Sequence, residues 1–158
     1  MAVMNITAGS QAILTLGNTE ALSLPGAADG MVIPFVQDIT VNAAPGIVRY
    51  SVLSSPSSKA FTTVNENSIS GNMLLDEETF FGLAGATNTV AANGLFATST
   101  AKTKVFFTVA FEGSDSLDHY IKGEGFIGGL APTASMDAAV WISPVEIIVD
   151  GELEADTV

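Results

Sequence analysis

The chain has 158 residues, of which 47% are hydrophobic and 14% charged, and its formal net charge is −12. This charge excludes binding to nucleic acid through neutralised phosphates, and it excludes docking on an anionic membrane surface. The lack of cysteine excludes disulfide bonds, thiolate catalysis and cysteine-ligated zinc. So few charges leave much of the surface neutral, which favours a subunit that assembles over a lone monomer.

The first quarter of the chain predicts two strands behind a short arm. Residues 1–10 predict a flexible N-terminal arm that lacks the features of a signal peptide. Residues 11–16 predict a short strand. Residues 31–43 alternate apolar and polar side chains, as a strand with one buried face does. Pro34 cannot donate to a strand ladder, so it predicts an edge or a bulge in this second strand.

The middle of the chain predicts a long polar segment between two strands. A turn at Pro45-Gly46 leads into a strand over residues 47–54. Residues 54–67 are rich in Ser, Thr and Asn and predict a long polar loop or an irregular extended arm. Loops of that length inside compact domains are usually functional or disordered. Residues 68–75 predict the next strand, with a possible bulge at its glycine.

One helix is predicted, over residues 75–85. Asp76 is its candidate N-cap, and Glu77 and Glu78 follow at the positive end of the helix dipole. The helix spans only about three turns, so it must dock on a sheet to persist. The small and polar residues 86–100 predict a loop, with a short strand over 94–98.

The last third predicts three strands. In residues 101–111 the large apolar side chains alternate with the others, so one face carries Val105, Phe107, Val109 and Phe111. Residues 119–127 predict the second strand. Residues 140–149 are apolar on both faces, which indicates burial on both sides, within the fold or against another copy. Residues 152–158 predict a solvated acidic tail.

These elements predict a mainly β fold, an antiparallel β-sandwich or barrel-like domain with one flanking α-helix and a long arm loop. The predicted division is a flexible arm over 1–10, a single domain over 11–151 and an acidic tail over 152–158. No stretch approaches about 18 uninterrupted apolar residues, so no membrane-spanning segment and no membrane partner is predicted.

Candidate chemistry is sparse. Asp115, Asp118 and His119 could bind a divalent ion, although Asp and Ser in such a segment more often satisfy backbone groups of a turn. The glycine-rich segment 123–129 lacks the Lys-Ser/Thr ending of a phosphate-binding loop, so a bulge or close strand approach explains it better. No nucleophile accompanies the single histidine. The sequence therefore predicts no catalytic residue, no cofactor and no enzymatic activity.

The order of these parts resembles the major tail tube proteins of long-tailed bacteriophages. The resemblance covers residues 10–151. It starts from QAILTLGNTEALSL and VQDITV, continues through RYSVLSSPSSKAF and SISGNMLLDEETFFG, and ends with FFTVAFEGSD and YIKGEGFIGGLAPTASMDAAVWISPVEI. Two departures stand out: Pro144 interrupts the final strand, and the usual tryptophan-containing helix entry is absent.

The resemblance implies a β-sandwich whose six copies close into a ring, with rings stacking into a tube that conducts DNA from capsid to host. It implies a virion tail location, assembly in the host cytoplasm, and terminator, tape measure and distal tail proteins as partners. DNA would pass an acidic lumen without specific binding. The arm bridging neighbouring subunits or rings would be formed by Ser54, Ser55, Pro56, Ser57, Ser58, Lys59 and Phe61.

The sequence leaves three questions open. The first is which residues face the solvent or the lumen, for which the candidates are Lys102, Lys104, Lys122 and Glu124. A capsid decoration or head/neck protein has an equally compatible composition. A carbohydrate- or metal-binding β-sandwich using the Asp115, Asp118 and His119 group is the alternative from a different functional class.

Overall fold

Strands dominate the structure, a computed structural model. It describes residues 12–24, 27–33, 36–112, 118–134, 136 and 140–157. The strands are β1 (Ala12–Gly17), β2 (Met31–Val32), β3 (Val36–Ala44), β4 (Ile47–Tyr50), β5 (Lys59–Thr62), β6 (Glu66–Leu74), β7 (Lys104–Glu112), β8 (Asp118–Gly128), β9 (Ile142–Val149) and β10 (Glu154–Thr157). The helices are α1 (Glu20–Ser23), α2 (Glu77–Phe81) and α3 (Thr89–Thr100). The prediction of a mainly β fold is confirmed.

Eight of these strands form one antiparallel sheet in the order β2-β1-β7-β8-β9-β6-β3, with β10 beside β8. Strand β8 holds the sheet together because it pairs with three partners. Residues 119–122 pair with β10, residues 125–128 pair with β9, and nearly the whole strand pairs with β7. The remaining two strands, β4 and β5, pair only with each other.

The core is built from the alternating side chains of β7. Val105, Phe107 and Val109 are fully buried, as the sequence pattern predicts. They belong to one apolar cluster with buried residues of β1, β2, β6, β8 and β9 and of the helices α2 and α3. Because strands β1, β2, β6, β7, β8 and β9 share this cluster, one continuous core underlies most of the sheet.

The helical part differs from the prediction. The predicted helix is shorter, five residues in α2, and the longest helix, α3, lies where a loop with a short strand is predicted. Asn88 starts α3: its Oδ1 accepts from the Val90 N–H at 3.1 Å, and its Nδ2 donates to the Leu16 carbonyl at 3.1 Å. Gly94, with φ of 79°, kinks α3 where the backbone of α2 approaches too closely for any Cβ.

Two further segments are strands rather than loop or tail. Residues 59–62, predicted as part of a polar loop, form β5 of a hairpin with β4. Residues 154–157, predicted as part of a solvated tail, pair with β8 as strand β10, in which residues 154–156 are exposed to solvent. Pro144 does not interrupt the final strand, because β9 continues through it opposite Asn72. The division of the chain into arm, domain and tail otherwise stays a prediction.

Gly125 is required by the packing of β8 on β9. A Cβ at this position would collide with the backbone carbonyl of Ile148, whereas a Cβ at Gly128 would meet only the side-chain tip of Ile148 at 3.7 Å. We expect Gly125→Ala to lower the free energy of unfolding by about 1–3 kcal/mol. The matched variant Gly128→Ala should leave it unchanged or raise it slightly. Denaturant unfolding measures both, and equal effects would contradict this close strand approach.

Candidate assembly surfaces

The β4–β5 hairpin is the most exposed apolar element among the described residues. Every residue of its two strands is exposed, including Ile47, Tyr50 and Phe61. The rings of Tyr50 and Phe61 lie 6.0 Å apart, so the hairpin carries a small aromatic pair that no core covers. A two-stranded hairpin is marginally stable alone in water, and clustered exposed apolar side chains mark interaction sites. The hairpin is therefore a candidate docking element.

The hairpin also differs in charge from the rest of the chain. It carries Arg49 and Lys59, two of the five basic residues, and residues 47–62 contain no Asp or Glu. All 17 carboxylates lie elsewhere in the sequence. Within the described part of the chain, neither Arg49 nor Lys59 has an ion-pair partner. The hairpin is thus a cationic and apolar arm on an acidic subunit.

A second apolar patch lies on the helices. Phe80 is buried, and its ring lies 5.0 Å from the ring of Phe81 and 5.7 Å from that of Phe96. Phe81, Leu83 and Phe96 are exposed, Phe81 to 66%. We call these three residues the helical patch.

The helical patch has an acidic border. Asp76 lies at the N-cap of α2, where its Oδ2 accepts from the Thr79 N–H at 3.1 Å and from the Thr79 hydroxyl at 2.9 Å. Glu77 and Glu78 follow it, both exposed. They precede Phe81 by four and three residues, so they share its side of the helix. Within the described ranges neither forms an ion pair.

Lys104 is held at the end of β7 by two carboxylates. Its Nζ lies 2.6 Å from Asp150 and 3.4 Å from Glu124, and 5.9 Å from the ring centre of Phe126. The hydrogen bond to Asp150 is the main cause that raises the pKa of the Lys104 ammonium. The exposed ion pairs fix the lysine's position more than they stabilise the fold.

Lys122 joins three elements. From β8 its Nζ reaches Glu20 of α1 at 2.7 Å and Glu154 of β10 at 3.5 Å. The hydrogen bond to Glu20 is the main cause that raises the pKa of Lys122. The contact of Lys122 with Glu154, together with the pairing of β10 with β8, places the acidic C-terminal segment on the sheet.

Three of the four predicted solvent- or lumen-facing residues thus come together. Lys122 and Glu124 line an open cleft of about 330 Å³, and Lys104 lies beside it, ion-paired with Glu124 and Asp150 of the lining. Its wall includes the carboxylates of Glu20, Glu124, Asp150, Glu152 and Glu154. Carboxylates outnumber lysines here, so the cleft is acidic. Lys102 is apart from it, exposed in the turn after α3 with φ of 54°.

The predicted arm residues Ser54 to Phe61 run from the tip of the hairpin into β5. Of the candidate metal ligands, Asp115 lies outside the described residues, Asp118 is the first residue of β8, and His119 is exposed beside it. The described residues contain no group of three or more acidic or histidine side chains placed to hold a metal ion. They also contain no helix of the length and apolarity that crossing a bilayer requires.

The exposed hairpin, the helical patch and the acidic cleft are features that sequence reasoning located only in part. The sequence does not indicate the helical patch because it predicts a loop at α3, which hides the proximity of Phe96 to Phe80. The cationic character of the hairpin could have been found from the sequence, since residues 47–62 lack carboxylates in a chain of net charge −12.

No protein-family model and no curated protein sequence matches the chain significantly. Solved structures do match it. The tail of an empty gene transfer agent particle, refined with C6 symmetry, is 15% identical with a TM-score of 0.64, covering 96% of this chain and 99% of that one. The SPP1 tail tube is 10% identical with a TM-score of 0.65, covering 96% and 80%. A protein of the sheath-tube complex of an extracellular contractile injection system is 10% identical with a TM-score of 0.59, covering 97% and 93%. The chain therefore shares one fold with proteins of tails and tail tubes, over nearly its whole length.

Proposed function

We propose that the protein is a structural subunit of a virion tail tube, in which copies of the chain close into rings and the rings stack. The observation that carries the proposal is the β4–β5 hairpin. It is an exposed apolar element that pairs with no other described strand, on a chain with the fold of tail tube proteins. A hairpin of this kind gains its stability by packing on another molecule. The contacts that hold it are therefore contacts between copies.

The acidic cleft supports a passage for DNA. A wall where carboxylates outnumber lysines repels a polyanion, so DNA slides past without being bound. Lys122 in the lining and Lys104 beside it do not reverse this, because each is already paired with two carboxylates. We assign the cleft to the lumen side of the tube and no catalytic role to any residue in it.

The remaining parts of the proposal follow from the tube. Six copies per ring is the number proposed, in keeping with the C6 symmetry of the gene transfer agent tail. The subunit would be assembled in the host cytoplasm and would reside in the virion tail. Its partners there would be further copies of itself and terminator, tape measure and distal tail proteins.

Electron microscopy of the purified protein tests the proposal. Negatively stained samples over a range of concentrations should contain rings or hollow tubes, and class averages viewed down the axis should show sixfold symmetry. Light scattering measured in parallel should give a mass that grows with concentration. A strictly monomeric species at high concentration would overturn the proposal. Binding to purified capsids as a monomer or trimer would favour a decoration protein instead.

A further inference from the structure

We propose that the β4–β5 hairpin of one subunit docks on the helical patch of an adjacent copy through the face that carries Tyr50, Phe61 and Lys59, with Lys59 facing Glu77 and Glu78. This inference rests on the proposed function and adds to it the surface that receives the arm. It follows from the charges and the exposed apolar side chains of the described residues.

The charges of the two surfaces are complementary and unused. Lys59 lies opposite Tyr50 in the hairpin register and shares its face, whereas Arg49 projects from the other face. Lys59 has no ion-pair partner within the described part of its own chain, and the same holds for Glu77 and Glu78. Complementary charges steer two surfaces together and fix their register. Lys104 and Lys122, by contrast, are each already paired with carboxylates of their own chain.

The apolar parts of the two surfaces are complementary as well. On the hairpin, Tyr50 and Phe61 are 45% and 52% exposed. On the helical patch, Phe81 is 66% and Phe96 is 53% exposed. Aromatic side chains at the centre of a contact, surrounded by charge pairs, form the usual energetic core of a protein interface. Docking would bury both sets at once.

The competing apolar surface fits the hairpin less well. Phe126 and Ile148 are exposed on neighbouring strands β8 and β9. Lys104 lies over the ring of Phe126, and it already holds Asp150 and Glu124. A cationic hairpin docking there would meet a lysine and no unpaired partner for its own charges. Among the described residues, no lysine or arginine forms an ion pair with Glu77 or Glu78 at the border of the helical patch.

The contact joins the hairpin of one copy to the helical patch of the next, so every subunit has one surface of each kind. Such a heterologous contact is not self-limiting: it closes into a ring when the rotation allows, and otherwise it propagates into an open stack. A tube of stacked rings needs one contact of each kind, one within the ring and one between rings. The docking supplies one of these two contacts.

A charge-swap experiment tests the docking directly. The variant Lys59→Glu and the variant Glu77→Lys with Glu78→Lys should each raise the concentration required for assembly roughly 100-fold, because like charges then face each other. The chain carrying all three substitutions should assemble within about tenfold of the unmodified protein, since the charge pairs are restored in reverse. Sedimentation and negative-stain microscopy measure assembly. Thermal unfolding checks that each variant is folded.

The control changes charge equally at other positions. Arg49→Glu, on the opposite face of the hairpin, is the matched control for Lys59→Glu. Asp29→Lys with Glu66→Lys, both at exposed positions, has the same effect on net charge as the Glu77 and Glu78 pair, and both controls should assemble nearly as the unmodified protein does. Failure of the triple variant to recover, or normal assembly of Lys59→Glu or of the Glu77 and Glu78 variant, overturns the docking while leaving the tube proposal in place. If the unmodified protein itself forms no rings or tubes, the proposed function fails and the docking with it.

Discussion

Replacing Tyr50 and Phe61 with serine is expected to leave the subunit folded and to abolish its assembly at concentrations where the unmodified protein forms particles. The two rings lie 6.0 Å apart on the hairpin, exposed, and neither strand of the hairpin joins the main sheet. Loss of a buried aromatic anchor at an interface costs about 2 kcal/mol or more. Two such losses raise the concentration required for assembly by about 1,000-fold.

The matched control keeps the aromatic surface. Tyr50→Phe with Phe61→Tyr retains two rings at the same positions and exchanges one hydroxyl, so assembly should persist within about tenfold. Thermal unfolding of the serine variant should stay close to that of the unmodified subunit, because surface substitutions away from the core change stability by about 0.5 kcal/mol or less. Assembly of the serine variant at the normal concentration would show that the hairpin is not a docking arm.

Truncating Phe107 to alanine should cause the largest loss of subunit stability. The side chain is fully buried in the middle of β7, opposite Leu16 on β1 and Gly123 on β8. Removal of a buried phenylalanine costs about 3–5 kcal/mol, out of a total stability of about 5–15 kcal/mol for a typical domain. For a chain of this size the midpoint of thermal unfolding should fall by about 6–20 °C.

Phe106 provides the control for Phe107. It is the neighbouring residue of the same type, but it faces the opposite side of β7 and is only half-buried. Phe106→Ala should cost at most about 1.5 kcal/mol, because less apolar area leaves water when it folds. Circular dichroism of both variants under non-assembling conditions measures the difference. Equal destabilisation by the two substitutions would mean that Phe106 and Phe107 are equally packed, which would contradict the core described above.

The sequence predicts the main sheet well because its strands carry large alternating side chains. Val105, Phe107 and Val109 mark the large apolar face of β7 without any knowledge of its neighbours. Segment 68–75 matches β6 for the same reason. Periodicity identifies these elements and the face that enters the core. It does not indicate that Thr108 and Ala110, on the other face of β7, are buried as well.

The helix α3 could not be predicted because its local signals are weak. Its sequence TVAANGLFATST has a glycine near the centre, β-branched residues and no clear apolar stripe. Its stability comes from distant contacts instead, above all the Asn88 side chain that bonds to the Leu16 carbonyl of β1. Such contacts override propensity, and they are invisible until the chain is folded.

Strands β5 and β10 escaped prediction for another reason. Lys59–Thr62 stands at the end of a serine-rich stretch, and Glu154–Thr157 is acidic, so neither has the alternating apolar pattern of a half-buried strand. Each is fixed by its partner strand, β5 by β4 and β10 by β8. Lys122 adds an ion pair to Glu154 that no local pattern indicates. Composition identified these segments as polar, while pairing decided their structure.

A density map of the particles formed by the unmodified protein, obtained by cryo-electron microscopy, tests the central claim most directly. We predict a hollow cylinder of stacked sixfold rings in which each hairpin lies on a neighbouring subunit and Glu124, Asp150 and Glu152 face the channel. A particle without a channel, or a channel lined mainly by lysine and arginine, would contradict the account.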